Sequence, residues 1–377
     1  MPYPVAACRG KGITPGGVVD PRILYDTFTG SGALAAHTPE IYPAGSSWAI
    51  YVGTFQDLSG GYARYNATNY GRALINSGIY DIDLTGKWRC STGEYGCALR
   101  SNADGTQRLV LSIMEGASKV RLYRDAYSTE LTPVVVNGVT FVAGTYYTVR
   151  VVASGGEYRF YVDGAFYGYG RGTNYLTNTY VGLGTLNSPG SNGLWDELAV
   201  SPAPSMLKCG VIGDSISAGA ATWPNLAGAR CNNGLAYLSA QHAVSGHTVM
   251  ANMDAHVAAA AADDCDHYWI LLGVNDNPAT DVTAEYQENL IELAGTNTRA
   301  KIYALGILNT SLRTAEQRNT RNSQISTAAA SAAEAGANVT YWNTDDWIDP
   351  ATDTTDGLHP NAAGTAKVVA QVLARMP

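Results

Sequence analysis

Charge is scarce in this chain. Only 15% of its 377 residues are Asp, Glu, Lys or Arg, and the net charge is -8. Lys and Arg nowhere form a run. Phosphate backbones are bound by basic faces, so no nucleic-acid partner is expected. Long apolar runs are missing too: no stretch approaches the ~20 apolar residues that a membrane-spanning helix needs. The opening segment "MPYPVAACRGKGITPGG" holds no apolar core of the kind a signal peptide carries. Either an export signal has been removed or the protein leaves the cell in another way, such as release by lysis. No Cys-x-x-Cys pair is present, which disfavours a structural zinc site. No two His stand at an obvious ligand spacing, which disfavours a metal-dependent hydrolase. The expectation is a protein without metal or cofactor. No internal repeat is evident.

What is present is a globular composition. Apolar residues make up 46%, which places the chain among folded rather than disordered proteins. The length is comfortable for two domains, each able to bury a core without metals or staples. Six Cys form an even count. Cys90 and Cys97 bracket the loop "CSTGEYGC", which can close as a small disulfide. Cys209 with Cys231 and Cys8 with Cys265 are further pairings, and six buried free thiols are an equal alternative.

The two halves follow different patterns. From about Ile23 to Pro204, short β-branched and aromatic runs recur between Gly, Asn, Asp and Ser clusters, as in "SWAIYVGTF", "RLVLSIM" and "YYTVRVVAS". In "EYRFYVDGAFYGYG", Arg159, Tyr161 and Asp163 alternate with Tyr158, Phe160 and Val162, and an Asp-Gly turn follows. Many evenly spaced strands suggest a two-sheet sandwich or jelly roll. "YTVRVVASGGEYRFYVDG" and "GLWDELAV" resemble the end of a concanavalin A-like (laminin G-like) domain. In that family a late hairpin carries a "YVDG" turn and a final strand carries "DE" among alternating apolar residues. Such domains often bind carbohydrate, sometimes with calcium, and some only pack or oligomerise. Asp196 and Glu197 are candidate calcium ligands on that reading, with a structural role favoured. The many Tyr offer a glycan platform, although strand packing explains most of them. His37 lies in this half.

"SPAPS" reads as a short hinge, and after it strands and helices alternate. "LKCGVIGD" and "HYWILLGVND" are buried strands, "KIYALGILN" is a strand and "VTYWN" a short strand. "TVMANMDAHVAAAAADD", "TAEYQENLIELAGTN", "TAEQRNTRNSQISTAAASAAEAG" and "NAAGTAKVVAQVLARM" are helices. Apolar strands between helices imply a parallel sheet covered on both faces, a three-layer α/β sandwich. The expected layout is an N-terminal extension over 1–22, a β-sandwich over 23–200, a linker over 201–206 and an α/β domain over 207–377.

In such a sheet the ligand crevice lies beyond the carboxyl ends of the strands. Asp214 and Ser215 follow the first strand, Gly246 follows the second in "HAVSGHTV", and Asn275 follows the third in "GVND". Asp356 and His359 lie in "WIDPATDTTDGLHPNAAG". This set, in this order, resembles the SGNH (GDSL-type) hydrolases. "GDSIS" matches the nucleophile block, Gly246 the block that supplies one backbone N–H, "GVND" the Gly-x-Asn-Asp block and "DGLHPN" the Asp-x-x-His-Pro block. The resemblance covers roughly 206–377. It departs from many members in having Ile216 where they have Leu, and the flanks of Gly246 carry little signature.

The residue types suit acyl transfer. A Ser hydroxyl needs an adjacent base, and His359 can take its proton and return it to a leaving group. Asp356 can hold the imidazole tautomer. The N–H groups of Ser215 and Gly246 and the Asn275 carboxamide would bind the oxyanion. Each has a plainer alternative. Ser215 suits a helix N-cap, and a nucleophile at a helix start would share that helix's free N–H groups. Asn275 and Gly246 suit turns, His359 suits a plain loop, and Asp349 and Asp353 compete with Asp356. Asp214 is read as shaping the loop. His242 and His247 flank the Gly246 block, and surface or structural roles are favoured for them. His256 and His267 look structural. Trp342 and Trp347 lie near the His359 loop in sequence, where a sugar- or acyl-packing role competes with core packing.

The reading is an extracellular serine esterase, secreted or virion-associated, that removes short acyl groups, above all O-acetyl, from a carbohydrate polymer. A general short-chain carboxylesterase or lipase with a structural β domain is the alternative within the same chemistry. A phage-type glycan-binding adhesin or tail protein with a secondary hydrolase domain is the alternative outside it. The expected partner is an acetylated polysaccharide or other ester. A homo-oligomer is permitted.

Overall fold

The computed structural model describes residues 20–376, apart from 53–54, 57–60, 66–70, 90–93, 115–118, 126–128, 132, 188–192 and 220–221. The chain divides into two compact units, Met1–Ser205 and Met206–Pro377.

The first unit is built from two sheets of antiparallel strands, the arrangement of a β-sandwich. Ile82–Arg89 alternates without a break, burying Ile82, Leu84, Gly86 and Trp88. It lies between Tyr146–Ser154 and Gly193–Pro202 in one sheet. Inward side chains of both sheets share one core, with Leu84 and Val151 from one and Leu99 and Leu111 from the other. Trp195 Nε1 donates across to the Gly96 carbonyl at 3.0 Å, so the indole dipole is satisfied inside that core. Asp26 is fully buried and accepts from Trp48 Nε1 at 2.8 Å, with His37 Nε2 at 2.8 Å on its other oxygen. That makes His37 a structural residue.

The Asp-Gly turn joins Glu157–Val162 to Ala165–Arg171, with φ of 48° at Asp163 and 80° at Gly164. Both central residues are left-handed, as a two-residue hairpin of this twist requires. The alternation before it does not divide core from solvent, because Arg159 and Tyr161 are buried as fully as Tyr158 and Phe160. Arg159 is held by Glu157 at 3.1 Å. Asp196, weighed as a calcium ligand, is ion-paired with Lys87 on the neighbouring strand.

Within the second unit we label the strands β1 (Leu207–Gly213), β2 (Ala236–Ala243), β3 (His267–Leu271), β4 (Lys301–Leu305) and β5 (Val339–Trp342). The helices are α1 (Trp223–Arg230), α2 (Val249–Ala260), α3 (Thr283–Thr296), α4 (Ala315–Glu334) and α5 (Ala362–Arg375). The strands are all parallel, in the order β2-β1-β3-β4-β5. Every residue of β3 is buried, as a central strand covered on both faces must be. Helix α1 packs beside α5, whereas α2, α3 and α4 pack side by side. The chain leaves β1 in one direction to form β2 and returns to form β3 on the other side. That reversal opens the crevice between β1 and β3 at their carboxyl ends.

Helix starts follow local chemistry. Thr248 caps α2, Asn361 caps α5, and Thr314 with Gln317 forms a reciprocal capping box on α4. Helix α1 has no such signature in the sequence. It is eight residues long, has Pro224 and Gly228 inside it, and the hydroxyl of its N-cap Thr222 donates to the Ser217 and Gly219 carbonyls, at 3.1 and 2.8 Å, instead of accepting from the helix's first N–H groups. Packing stabilises it: a Cβ at Gly228 would lie 2.8 Å from the Leu238 nitrogen, so the helix sits directly on β2.

Cys97, Cys209, Cys231 and Cys265 are buried free thiols, which removes the Cys209–Cys231 pairing. Burial pushes the Cys231 thiol up to about 12 and that of Cys265 up to about 11, so neither is a ready thiolate. Cys8 and Cys90 lie outside the described residues. No helix among those residues is long and apolar enough to cross a membrane.

Candidate active site

Strand β1 ends at Gly213, where a side chain has no room. A Cβ there would lie 2.9 Å from Ser217 and 3.0 Å from the Leu271 carbonyl oxygen. The chain then turns sharply. The Asp214 carboxylate accepts from Ile216 N at 3.0 Å, and its carbonyl accepts from Ser217 N at 3.1 Å and Ala218 N at 3.0 Å. Asp214, not Ser215, therefore caps this turn. Ser215 is not at a helix start either, since α1 begins only at Trp223. Freed from capping, its hydroxyl points elsewhere: Ser215 Oγ lies 2.9 Å from His359 Nε2.

His359 is delivered by a tight loop. Thr355 N donates to the His359 carbonyl at 2.9 Å, and Gly357, at φ 82°, makes the reversal between Asp356 and His359. The far imidazole nitrogen, Nδ1, lies 2.6 Å from Asp356 Oδ2. Oδ1 of the same carboxylate accepts the backbone N–H groups of His359 at 2.8 Å and Leu358 at 3.0 Å. Those backbone bonds, with the imidazole bond, hold the Asp356 carboxyl down to about 2. Asp356 is thus an anion at every pH at which the protein would work. The stabilisation its bonds confer is complete above about pH 4 and is lost only as pH falls towards 2. Its rivals are engaged elsewhere: Asp353 accepts from Asp349 N and Lys367 Nζ, at 2.8 and 2.7 Å. The His359 and Asp356 side chains are 39% and 53% exposed, so this end of the site is open.

The other two candidates follow the strands on either side of β1. Gly213 pairs with Ala243 of β2 and Leu271 of β3. Gly246 lies three residues beyond Ala243 and adopts φ 78°, which favours glycine. Val244 N ties this turn to the Gly213 carbonyl at 3.1 Å. Asn275 lies four residues beyond Leu271, and its Nδ2 donates to the His247 carbonyl at 3.1 Å. That bond uses one amide hydrogen and leaves the other for a ligand.

Sequence reasoning missed what supports these two loops. Asp276 is buried, and its carboxylate accepts from Val249 N at 2.9 Å and Met250 N at 3.1 Å, at the start of α2. The "GVND" block contained this signal, since an acid beside Asn275 has a helix N-terminus to bind. His247 Nδ1 lies 2.9 Å from His256 Nε2. His256 is pushed down to about 4, by burial first and by the neighbouring His247 and His242 second. His242 is bound to Asp263. Trp342 and Trp347 are core residues: Trp342 stacks on Tyr303 at 4.2 Å between ring centroids, and Trp347 is 1% exposed.

Burial raises the Asp214 carboxyl to about 7, with nearby Asp276 adding to the effect and the Ile216 N–H and His359 opposing it. The folded chain thus holds this proton more tightly than the unfolded chain between about pH 4 and 7. Stability therefore falls as pH rises through that window, by on the order of a few kcal/mol. Asp214→Asn keeps the acceptor for Ile216 N and removes the penalty. We expect its Tm to exceed that of the wild type at about pH 8 and to match it below about pH 4. Equal Tm values across the range would show that Asp214 ionises without cost.

Residues 211–367 match the GDSL-like Lipase/Acylhydrolase family and form a domain of that kind. No curated protein matches the chain. Among solved structures it is similar to a family 3 carbohydrate esterase from Clostridium thermocellum, at 15% identity and a TM-score of 0.38, covering 45% of this chain and 94% of that one. An acetylxylan esterase from Geobacillus stearothermophilus, solved as a catalytic mutant, matches at 19% identity and TM-score 0.35, over 46% of this chain and 94% of that one. A carbohydrate-binding module from Bacillus subtilis matches at 13% identity and TM-score 0.33, over 41% of this chain and 94% of that one.

Proposed function

With an acylhydrolase domain at residues 211–367 as the premise, we propose that this chain is a serine esterase that removes O-acetyl groups from a carbohydrate polymer. One observation carries the reading: the unbroken chain from Ser215 Oγ through the His359 imidazole to the Asp356 carboxylate, with links of 2.9 and 2.6 Å. Ser215 Oγ attacks the acetyl carbonyl as His359 Nε2 takes its proton. Asp356, ionised and doubly held by backbone, keeps Nδ1 protonated and balances the imidazolium. The oxyanion is met by the N–H groups of Ser215 and Gly246 and by Asn275 Nδ2. Collapse expels the sugar alkoxide, which His359 protonates, and leaves acetyl-Ser215. Water then attacks, its proton passing to His359, and acetate and free Ser215 result. No cofactor enters any step.

The polymer substrate is supported by the openness of the site. Asp356 and His359 stand half-exposed at the sheet edge, where an ester on a bulky chain can reach them. The concanavalin A-like reading of the first unit, as a carbohydrate-binding sandwich, fits the same target. An extracellular setting, with the protein secreted or virion-associated, fits a polymeric sugar as well. The test is a substrate panel: acetate released from acetylated xylan, pectin and bacterial polysaccharides, beside p-nitrophenyl acetate and longer p-nitrophenyl esters. We expect acetate from at least one glycan and falling kcat/KM with acyl length. Activity on long acyl chains with none on acetylated glycans would sink the deacetylase reading in favour of a carboxylesterase or lipase. Glycan binding without hydrolysis of any ester would favour an adhesin.

A further inference from the structure

The loop between β4 and α4 touches both halves of the candidate site. Its entry is fixed, because Gly306 N donates to the Trp342 carbonyl at 3.0 Å and Thr344 Oγ1 donates to the Gly306 and Ile307 carbonyls. Its exit is fixed by the capping box on α4. Between these anchors, Ser311 N donates to the Gly357 carbonyl at 2.8 Å, in the turn between Asp356 and His359. Contact there is close: a Cβ at Gly357 would lie 1.8 Å from Ser311 Oγ. Two residues on, the Arg313 guanidinium reaches the other side. Nε and Nη2 both donate to the Val274 carbonyl, the first at 3.1 Å, and Nη2 also donates to the Asp276 carbonyl at 2.6 Å. Those carbonyls flank Asn275. A second arginine, Arg321 of α4, holds the next carbonyl, that of Asn277, at 3.0 Å.

We infer that Arg313 is a positioning residue for the oxyanion-binding carboxamide, and that Ser311–Arg313 is a spacer fixing the distance from the His359 loop to Asn275. The inference rests on the reading of Asn275 as an oxyanion donor. A guanidinium is costly to commit to neutral carbonyls, yet Arg313 makes no ion pair among the described residues. Its planar fork can grip both carbonyls at once, which a lysine ammonium cannot do with the same geometry. From below, the Asp276 carboxylate binds the start of α2, and Asn275 binds the His247 carbonyl beside Gly246. Arg313 therefore closes a frame that joins the second and third oxyanion donors to the base. Such donors act only when held close to the productive geometry, and a misplacement of ~1 Å costs about 10²-fold.

The test uses the full chain, p-nitrophenyl acetate, and the variants Arg313→Ala, Arg313→Lys and Asn275→Ala with their combinations. We expect Arg313→Ala to lower kcat about 10- to 100-fold with KM changed less than about threefold, and Arg313→Lys to recover part of the loss. In the Asn275→Ala background, Arg313→Ala should cost less than about threefold, because the group it positions is gone. Full additivity would overturn the inference, as would an effect on KM alone, which would make Arg313 a substrate contact. Hydrogen exchange gives a readout independent of the esterase reading. Arg313→Ala should speed exchange at the amides of residues 274–277 and 246–250, and unchanged exchange there would also overturn the inference. If the wild type hydrolyses no ester, the esterase reading fails and exchange alone decides the clamp.

Discussion

Ser215→Ala should reduce kcat on p-nitrophenyl acetate by about 10⁶-fold, His359→Ala by about as much, and the double variant by no more than either alone. The physical reason is that the two groups act as one device. Ser215 Oγ is a weak nucleophile until His359 Nε2, 2.9 Å away, accepts its proton. Remove either and the other has nothing to do, so the losses cannot add. The residual rate would come from binding and the oxyanion donors. Asp356→Asn belongs to the same set with a smaller loss, because a half-exposed carboxylate is partly replaced by water. Steady-state kinetics on the three single variants and the Ser215/His359 double variant check this. A Ser215→Ala enzyme with full activity, or losses that multiply, would remove the mechanism. Stability should be unaffected by Ser215→Ala, because the turn is capped by Asp214 and the Ser hydroxyl caps nothing.

Asn275→Ala should lower kcat about 10²- to 10³-fold with little change in KM. Its carboxamide meets charge that exists only after attack, so it contributes little to the ground state. Asn275→Asp should lose more, because a carboxylate repels the oxyanion it replaces a donor for. The fold should tolerate both, since the buried bonds at this loop belong to the Val274 and Asp276 carbonyls and to the Asp276 carboxylate. Kinetics and Tm on the two variants decide the matter. A KM effect without a kcat effect would place Asn275 in ground-state binding and leave the third donor unassigned.

Much of the site was legible because parallel sheets obey a placement rule. Once "LKCGVIGD", "HYWILLGVND" and the helices between them are read, the residues after the strands share one edge. Ser215, Gly246 and Asn275 follow three neighbouring strands for that reason, and Asp356 and His359 share a loop by spacing alone. The turn chemistry of Asp163 and Gly164 was equally local, since left-handed φ at both positions is written in the residue types. Helix α1 was not legible, because eight residues containing Pro224 and Gly228 present no helical period and rely on β2 beneath them. The burial of Arg159 was not legible either, because alternation marks two faces without saying that both are covered.

By itself, then, the sequence determined the class of the strongly patterned elements, the order of the strands' functional ends and the identities of the acid, base and nucleophile candidates. These depend on residue type and on spacings of a few residues, which local physics decides. Only the tertiary structure decided which group caps the turn at Ser215, that His247 meets His256, and that Arg313 grips the carbonyls on either side of Asn275. Arg313 and Val274 are 39 residues apart in the chain, and a guanidinium aimed at a backbone carbonyl leaves no pattern in either segment. Such contacts arise only when the sheet brings its loops to one edge, and they set the distances on which the chemistry depends.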